Sequence, residues 1–300
     1  MAKAITVLAG ATGALGGRIA NLLLQRDTLL RLLVRKSGRG DKFLDFQKRG
    51  AEVVEVDFDN VSTLTKACAG GACVVSALAG LHEVIIDAQT SLLEAAIMAE
   101  VPRFIPSDFS IDFTKCADGL NRNLDLRREF HLKLDQAPLA VTSILNGAFT
   151  ELLTGKAPLI LYKFHRIVYW ENSDQLLDFT TMDNTAEFTA TAALDPSTPR
   201  FLRIAGDQIS ARGLVDTACE VTGRKFKLLR AGSLRRLAFL IKVFRKLSPQ
   251  ETVLYPPWQG MQYFHNMFSG CAKLEPLDND RYSNIRWTTV KEFLAKNLSF

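Results

Sequence analysis

The sequence has few of the residues that build metal centres and disulfide frameworks. Its 300 residues include 5 cysteines and 4 histidines. The cysteines form no Cys-x-x-Cys pair and the histidines no His-Glu-x-x-His motif, so neither a thiolate zinc site nor a disulfide framework is predicted. We therefore expect no metal ion and a reducing compartment, the cytoplasm.

Long hydrophobic runs are also missing. One uncharged stretch without histidine, residues 67–81, is interrupted by Gly70 and Gly71. It is shorter than the ~18 residues that indicate a membrane-spanning helix. The first residues lack the layout of a signal peptide, because their apolar run begins at once and turns into glycines. With 47% hydrophobic and 23% charged residues, the chain is expected to be a soluble protein with a large core.

Positive charge is concentrated in one segment. Residues 224–246 contain nine Lys and Arg and no Asp or Glu, more than the whole net charge of +5. A basic excess confined to one segment argues against a nucleic-acid-binding surface. Within it, residues 233–247 have one apolar face, typical of an amphipathic helix. Such a basic helix can bind a membrane surface or an acidic partner. We interpret it instead as a solvated helix whose apolar stripe covers the sheet, and we expect no membrane contact.

Strand and helix patterns alternate through the first half of the chain. Short apolar runs predict strands at 4–9, 31–34, 53–56, 73–76, 103–105 and 141–144. Helical patterns lie between them at 19–24, 41–49, 61–69, 83–99 and 125–136. The alternation predicts an α/β fold with a doubly wound parallel sheet, the Rossmann architecture, over residues 1–150. For 151–300 we expect a mixed segment that adds late strands to the sheet and forms a smaller α/β substrate lobe.

A glycine-rich loop follows the first strand directly. Its spacing, Gly-x-x-Gly-x-x-Gly, lets the backbone turn sharply and approach a pyrophosphate, which the N–H groups at the start of the next helix bind. Because a strand precedes the loop and a helix follows it, we expect a dinucleotide site. The loop residues assigned to that site are Gly10, Thr12, Gly13, Ala14, Leu15 and Gly16.

The end of the second strand predicts which nicotinamide cofactor is bound. A site for NAD has Asp or Glu there, whereas this chain has Arg35 and Lys36. A guanidinium that faces a 2′-phosphate is the solution for NADP, so we expect NADPH and NADP⁺. The remaining cofactor contacts are expected at strand ends, from Asp57, Ser76, Ala77, Ser107 and Asn146. For Asp57, contact with the adenine amine and a local turn or capping role are both open.

Five segments, GATGALGG, VRKSGR, RFIPSDFS, NRNLDLRREF and TSILNGAF, resemble the NmrA-like branch of the atypical short-chain dehydrogenases. That branch includes isoflavone, pinoresinol-lariciresinol and phenylcoumaran benzylic ether reductases. The resemblance extends over nearly the whole length. It implies an NADPH-binding scaffold whose reductive members deliver hydride to an aromatic substrate from a cleft beneath a smaller C-terminal lobe.

The resemblance also reveals a departure in the expected catalytic residues. The lysine that serves reductive members as general acid and base falls on Arg127 or close to it. Arginine keeps its proton, so Arg127 is expected to stabilise an oxyanion while His131, one helical turn on, or water supplies the proton. The alternative for His131 is a surface position. Ser107 is expected to contact the nicotinamide ribose or the substrate carbonyl, and Asp108 to cap the following loop.

Two functions follow from these residues. The first is an NADPH-dependent oxidoreductase that reduces a small aromatic carbonyl, enone or benzylic ether. The second is a catalytically silent sensor that binds NADP(H) and acts through a protein partner. Aromatic residues in 255–268 either line the substrate pocket or belong to the core. We expect a monomer or homodimer with a small aromatic substrate and no nucleic acid.

Overall fold

The computed structural model describes residues 4–26, 28–35 and 41–298. The strands are β1 Ile5–Ala9, β2 Leu29–Arg35, β3 Glu52–Val56, β4 Gly71–Ser76, β5 Arg103–Ile105, β6 Ala140–Val141, β7 Ser143–Leu145, β8 Ala148–Phe149, β9 Ile160–Leu161, β10 Arg166–Trp170, β11 Leu177–Thr180, β12 Phe201–Arg203, β13 Asp207–Ile209 and β14 Lys227–Gly232. The α-helices are α1 Ala14–Gln25, α2 Asp41–Lys48, α3 Val61–Cys68, α4 Gln89–Met98, α5 Arg122–Leu134, α6 Met182–Leu194, α7 Ala211–Thr222, α8 Leu234–Leu247, α9 Pro257–Phe268 and α10 Val290–Asn297.

Six parallel strands form the main sheet, in the order β3-β2-β1-β4-β5-β6. The apolar run in β1 is continuous because Val7, Leu8 and Ala9 are fully buried, as in a parallel sheet covered on both faces. The strand order reverses at β1, which pairs with β2 on one side and β4 on the other. Ligands of such sheets bind at the carboxyl ends of the strands at this reversal. The predicted doubly wound α/β fold is confirmed.

The chain divides into two compact units that are interleaved in sequence. Unit 1 comprises 1–109, 126–144 and 185–202, and unit 2 the remaining residues. The predicted boundary at residue 150 is therefore wrong. Residues 185–202 join unit 1 because Arg103 of β5, which is buried, donates to the carbonyl oxygens of Ala192 and Ala193 at 2.8 and 2.9 Å.

The prediction that 151–300 adds late strands to the main sheet is also wrong for the described residues. All six strands of that sheet end before residue 142. The later strands pair among themselves or with β7 and β8, in sheets β14-β10-β9, β13-β11-β8 and β12-β7. The pattern of apolar residues identifies a strand but not the strand with which it pairs. The sequence therefore could not show that the later strands belong to other sheets.

A disulfide in unit 2 corrects the expectation drawn from the cysteine spacing. Cys116 and Cys271 are bonded, with their Cα atoms 5.1 Å apart and a sequence separation of 155. Cys68 and Cys73 are buried thiols, and burial raises their pKa to about 12 and about 11, so neither is a reactive thiolate. Among the described residues, none of the helices combines the length and apolarity needed to cross a membrane. Those residues also contain no cluster of His, Cys, Asp or Glu arranged for a metal ion.

Candidate functional site

The glycine loop packs too tightly for side chains at two of its positions. Gly10 has φ +92°, and a Cβ built there would lie 2.4 Å from the carbonyl oxygen of Ala77. A Cβ on Gly16 would lie 2.2 Å from the carbonyl oxygen of Gly10. Both distances are shorter than a van der Waals contact between a carbon and an oxygen atom. The loop is therefore drawn against the end of β4, beside the point where the strand order reverses.

Helix α1 begins at this loop with an anion-attracting end. Gly13 is its N-cap and provides no side-chain cap, and the first turn contains no acidic residue. The first intrahelical bond runs from the Gly17 N–H to the Gly13 carbonyl at 2.9 Å. The N–H groups of Ala14, Leu15 and Gly16 lie before this bond, so no carbonyl within the helix accepts a hydrogen bond from them. These groups, together with the helix dipole, favour a phosphate at this position.

Arg35 ends β2, the strand next to β1. Its guanidinium carbon lies 5.5 Å from the centroid of the Phe58 ring, and the side chain is exposed. Leu33 pairs with Ala9 across the two strands, so Arg35 extends past the same sheet edge from which the glycine loop leaves. A cation held over an aromatic ring at this edge is placed to meet a phosphate. The predicted partner Lys36 lies outside the described residues.

The other strand ends differ in what their side chains do. The Asp57 carboxylate accepts a hydrogen bond from the Asp59 N–H at 3.1 Å, which is the local turn role left open for it. Ser76 ends β4, fully buried, and its hydroxyl has no partner among the described residues. The Ala77 N–H donates to the carbonyl of Ala9 at 2.9 Å. Thus Ala77 fastens the end of β4 to the start of the glycine loop.

Ser107 is held at the carboxyl end of β5 by two hydrogen bonds. Its hydroxyl donates to the carbonyl oxygen of Leu78, and its N–H donates to the Gln89 side chain at 2.9 Å. The residue is buried. Its hydroxyl proton is therefore committed within unit 1, and lone pairs of its oxygen remain as acceptors for a ligand.

A buried polar network is centred on His131 in α5. Nε2 of His131 lies 2.7 Å from the Asp108 carboxylate and 3.4 Å from the Ser143 hydroxyl. Nδ1 lies 3.1 Å from Nη2 of Arg200, which also bonds the Asp135 carboxylate at 2.8 Å. The surface position considered for His131 is wrong, because the residue is 7% exposed.

These contacts determine the tautomer of His131. A guanidinium nitrogen carries only donors, so Nδ1, which faces Arg200, must be the acceptor. The proton then resides on Nε2 and is donated to Asp108. His131 is therefore neutral in this arrangement, and both of its ring nitrogens are used inside unit 1.

Asp108 is the buried anion of the network. The sequence had suggested a loop cap at this position instead. Burial is the largest single influence on the pKa of this carboxyl and raises it, whereas the contacts with His131, Ser143 and Arg127 together lower it further than burial raises it. The net pKa lies below its usual value. The ionised form is therefore the form that the native state stabilises.

Arg127 reaches the same strand end from one turn earlier in α5. Its Nε donates to the carbonyl oxygen of Asp108 at 3.0 Å, and the side chain is half-buried. Lys133, on the opposite side of the helix from His131, is exposed. The structure thus brings Ser107, Arg127 and His131 together at the end of β5, two strands away from β1.

Two predicted features lie in unit 2. Asn146 is fully buried, and neither atom of its amide has a hydrogen-bond partner among the described residues. The aromatic segment 255–268 becomes the loop before α9 and α9 itself. Trp258 and Phe268 are core residues. Burial lowers the pKa of His265, which favours its neutral form. The segment thus contributes to the core first, while Tyr255 is 63% exposed.

Sequence reasoning missed Asp108 and Arg200 as members of one network. They approach His131 from 23 and 69 residues away. The signal available for Asp108 was its place at the end of a buried strand. Arg200 precedes β12 in an irregular part of the chain, where no pattern indicated a role.

Comparison with known proteins agrees with the family resemblance. The model of the NmrA-like family matches residues 1–294. A bifunctional pinoresinol-lariciresinol reductase of Linum usitatissimum is 25% identical over 318 residues, covering 98% of this chain and 99% of that protein. Pinoresinol reductase 1 of Arabidopsis thaliana is 24% identical over 307 residues, covering 96% of this chain and 94% of that protein.

A solved structure is similar over the same extent. AtPrR2 with NADP⁺ and (+)pinoresinol superposes with a TM-score of 0.82 at 20% identity, covering 99% of this chain and 100% of that chain. At this level of identity the similarity establishes a shared fold, and it does not transfer the ligands of that structure.

Proposed function

Because the chain belongs to the NmrA-like family, we propose that it is an NADPH-dependent reductase of small aromatic carbonyls, enones or benzylic ethers. The observation that carries the proposal is the pairing of an uncapped, glycine-built helix start with the exposed cation of Arg35 at one sheet edge. Relatives over the full length are reductases by name, which supports the reductase function predicted from the sequence.

The residues present fit the cofactor. The N–H groups of Ala14, Leu15 and Gly16 would hold its pyrophosphate, and Arg35 its 2′-phosphate. The buried Ser76 hydroxyl, which lacks a partner among the described residues, and the Ser107 oxygen supply polar groups at the ends of β4 and β5. When bound, NADPH supplies the hydride that reduces the substrate.

Arg127 has the role of stabilising negative charge on the substrate oxygen. It cannot exchange a proton near neutral pH, so its contribution is electrostatic. Asp108 anchors Arg127 through its carbonyl oxygen and His131 through its carboxylate. We therefore assign His131 as a positioning residue for Asp108 and Arg127. Since both nitrogens of His131 are engaged, water is the proton source in this proposal.

The test is turnover of purified protein with NADPH and a panel of aromatic carbonyls, enones and benzylic ethers. Loss of absorbance at about 340 nm reports oxidation of the nicotinamide. We expect turnover with NADPH and little with NADH. Arg127→Ala should lower turnover while the NADPH affinity stays unchanged, and Lys133→Ala, an exposed change on the same helix, serves as the control. No turnover over the whole panel, with the cofactor bound, would contradict the proposed activity.

A second function, an NADP(H)-binding sensor, is favoured by one observation. Among the residues that the structure describes, the charged groups at the end of β5 include no side chain that is placed to exchange a proton, since Arg127 keeps its proton and His131 is engaged. A sensor must bind NADP⁺ and NADPH with different affinities, because a ligand shifts a conformational equilibrium only through differential binding. Calorimetric titration with both forms tests this, and equal affinities exclude it.

The other expectations about context stay predictions. They are a cytoplasmic location, a monomer or homodimer, and an aromatic substrate bound beside the smaller lobe. The Cys116–Cys271 disulfide bears on the first of them, because disulfides are rare in the reducing cytoplasm.

A further inference from the structure

Helix α8 has two apolar sides, of which the protein buries one. Leu237 is fully buried. Phe239 lies two residues on, about 200° around the helix axis, and is 64% exposed. Val243, which is half-buried, and Leu247 follow it at intervals of four, so the three side chains form one row. Leu247 is 77% exposed. The expected covered stripe contains Leu237, and the expected solvated face carries a second apolar row as well.

Cations border the exposed row. Arg235, Arg236, Lys242 and Lys246 each lie within one turn of a residue of the row, and all four side chains are exposed. Within the described part of the chain, no ion pair engages any of these four. The helix itself contains no acidic residue.

The carboxylates that contact α8 lie at its two ends. Glu171 accepts a hydrogen bond from the Leu234 N–H at 3.0 Å. Glu251 pairs with Arg245 at 2.9 Å, and that arginine also lies over the Trp258 ring, on the covered side of the helix. The middle of the exposed face thus presents apolar side chains and positive charge together.

We propose that α8 docks on an anionic lipid surface, with Phe239, Val243 and Leu247 inserted at the acyl boundary. An interfacial helix needs an apolar row to bury and cations that reach the headgroups beside it. A second copy of the chain fits less well, because a two-fold contact would set the four cations against their own equivalents. The proposal goes beyond the reductase function and does not depend on it.

The test is co-sedimentation of the full chain with phosphatidylcholine vesicles that contain or lack phosphatidylserine. We expect binding to the anionic vesicles only, weakened between about 0.05 and about 0.5 M salt. Arg235→Gln with Lys242→Gln should weaken binding roughly 25-fold, at roughly fivefold for each cation. Phe239→Ser and Leu247→Ser should each weaken it roughly tenfold.

Met98→Ser is the matched control, because Met98 is an exposed apolar residue of α4 at 65% exposure. It should leave vesicle binding unchanged. Circular dichroism and NADPH affinity establish that each variant is folded. Absence of binding to anionic vesicles at low salt would overturn the proposal. Vesicle binding that is unchanged in Phe239→Ser and Leu247→Ser would also overturn it. A third contrary result would be a protein that binds no lipid but forms a dimer that Phe239→Ser dissociates. Each outcome is independent of whether the protein reduces a substrate.

Discussion

Removing either partner of the Asp108–His131 pair should destabilise the protein by different amounts. In His131→Ala the Asp108 carboxylate, 1% exposed, loses its main donor, and an uncompensated buried charge costs about 3–5 kcal/mol. In Asp108→Ala the neutral imidazole loses one acceptor, at a cost of about 1–3 kcal/mol. The double variant should cost less than both single variants together, by about 1.5–3 kcal/mol. Urea unfolding followed by far-ultraviolet circular dichroism measures all three changes.

If the losses of unfolding free energy in the two single variants add up to the loss in the double variant, the pairing is refuted. If the two single variants lose equal amounts, the neutral tautomer of His131 is refuted. Asp174 and Arg212 provide the control, since both side chains are exposed at 60% although they lie 2.8 Å apart. That cycle should show no measurable coupling. Because the pKa of Asp108 is lowered in the native state, its contribution is present above the usual value of 3.8 and is lost as the pH falls through the native pKa. Unfolding measured at descending pH should show this loss in the wild type and not in Asp108→Ala.

Three further changes test the cofactor and catalytic residues. Arg35→Ser should weaken NADPH binding about 10–100-fold, through loss of a charge-assisted contact of about 1.5–3 kcal/mol, and leave NADH binding unchanged by calorimetry; an equal loss for both would contradict the assignment. Gly16→Ala should abolish NADPH binding and lower the unfolding midpoint, because its Cβ would lie 2.2 Å from the Gly10 carbonyl oxygen, and retained affinity would speak against the loop. His131→Ala should lower kcat without removing a limb of the pH–rate profile, and a lost limb would identify His131 as the proton donor instead.

The candidate cofactor residues could be proposed from the sequence because the features that point to them are local. The glycine spacing dictates a backbone that only glycine allows at positions 10 and 16, and Arg35 follows the same strand pattern that placed the sheet. Neighbouring residues along the chain carry this information. The parallel, doubly wound sheet could be predicted from the alternation of strands and helices, since few topologies satisfy it.

The remainder depends on contacts between distant residues. In the sequence, His131 is one of several polar residues on a helix. Its burial is visible only in the folded structure, where Asp108 and Arg200 contact it. The division into interleaved units and the pairing of Cys116 with Cys271 have the same origin. Helix α8 shows the converse case. Its periodicity correctly indicated a helix, but how many of its sides are covered depends on what packs against it.

Calorimetric titration of the folded protein with NADPH and with NADH tests the central claim most directly. The glycine loop and Arg35 together predict that NADPH binds about 10–100-fold more tightly than NADH. Equal affinities, tighter binding of NADH, or no uptake of either form by protein shown to be folded would contradict it.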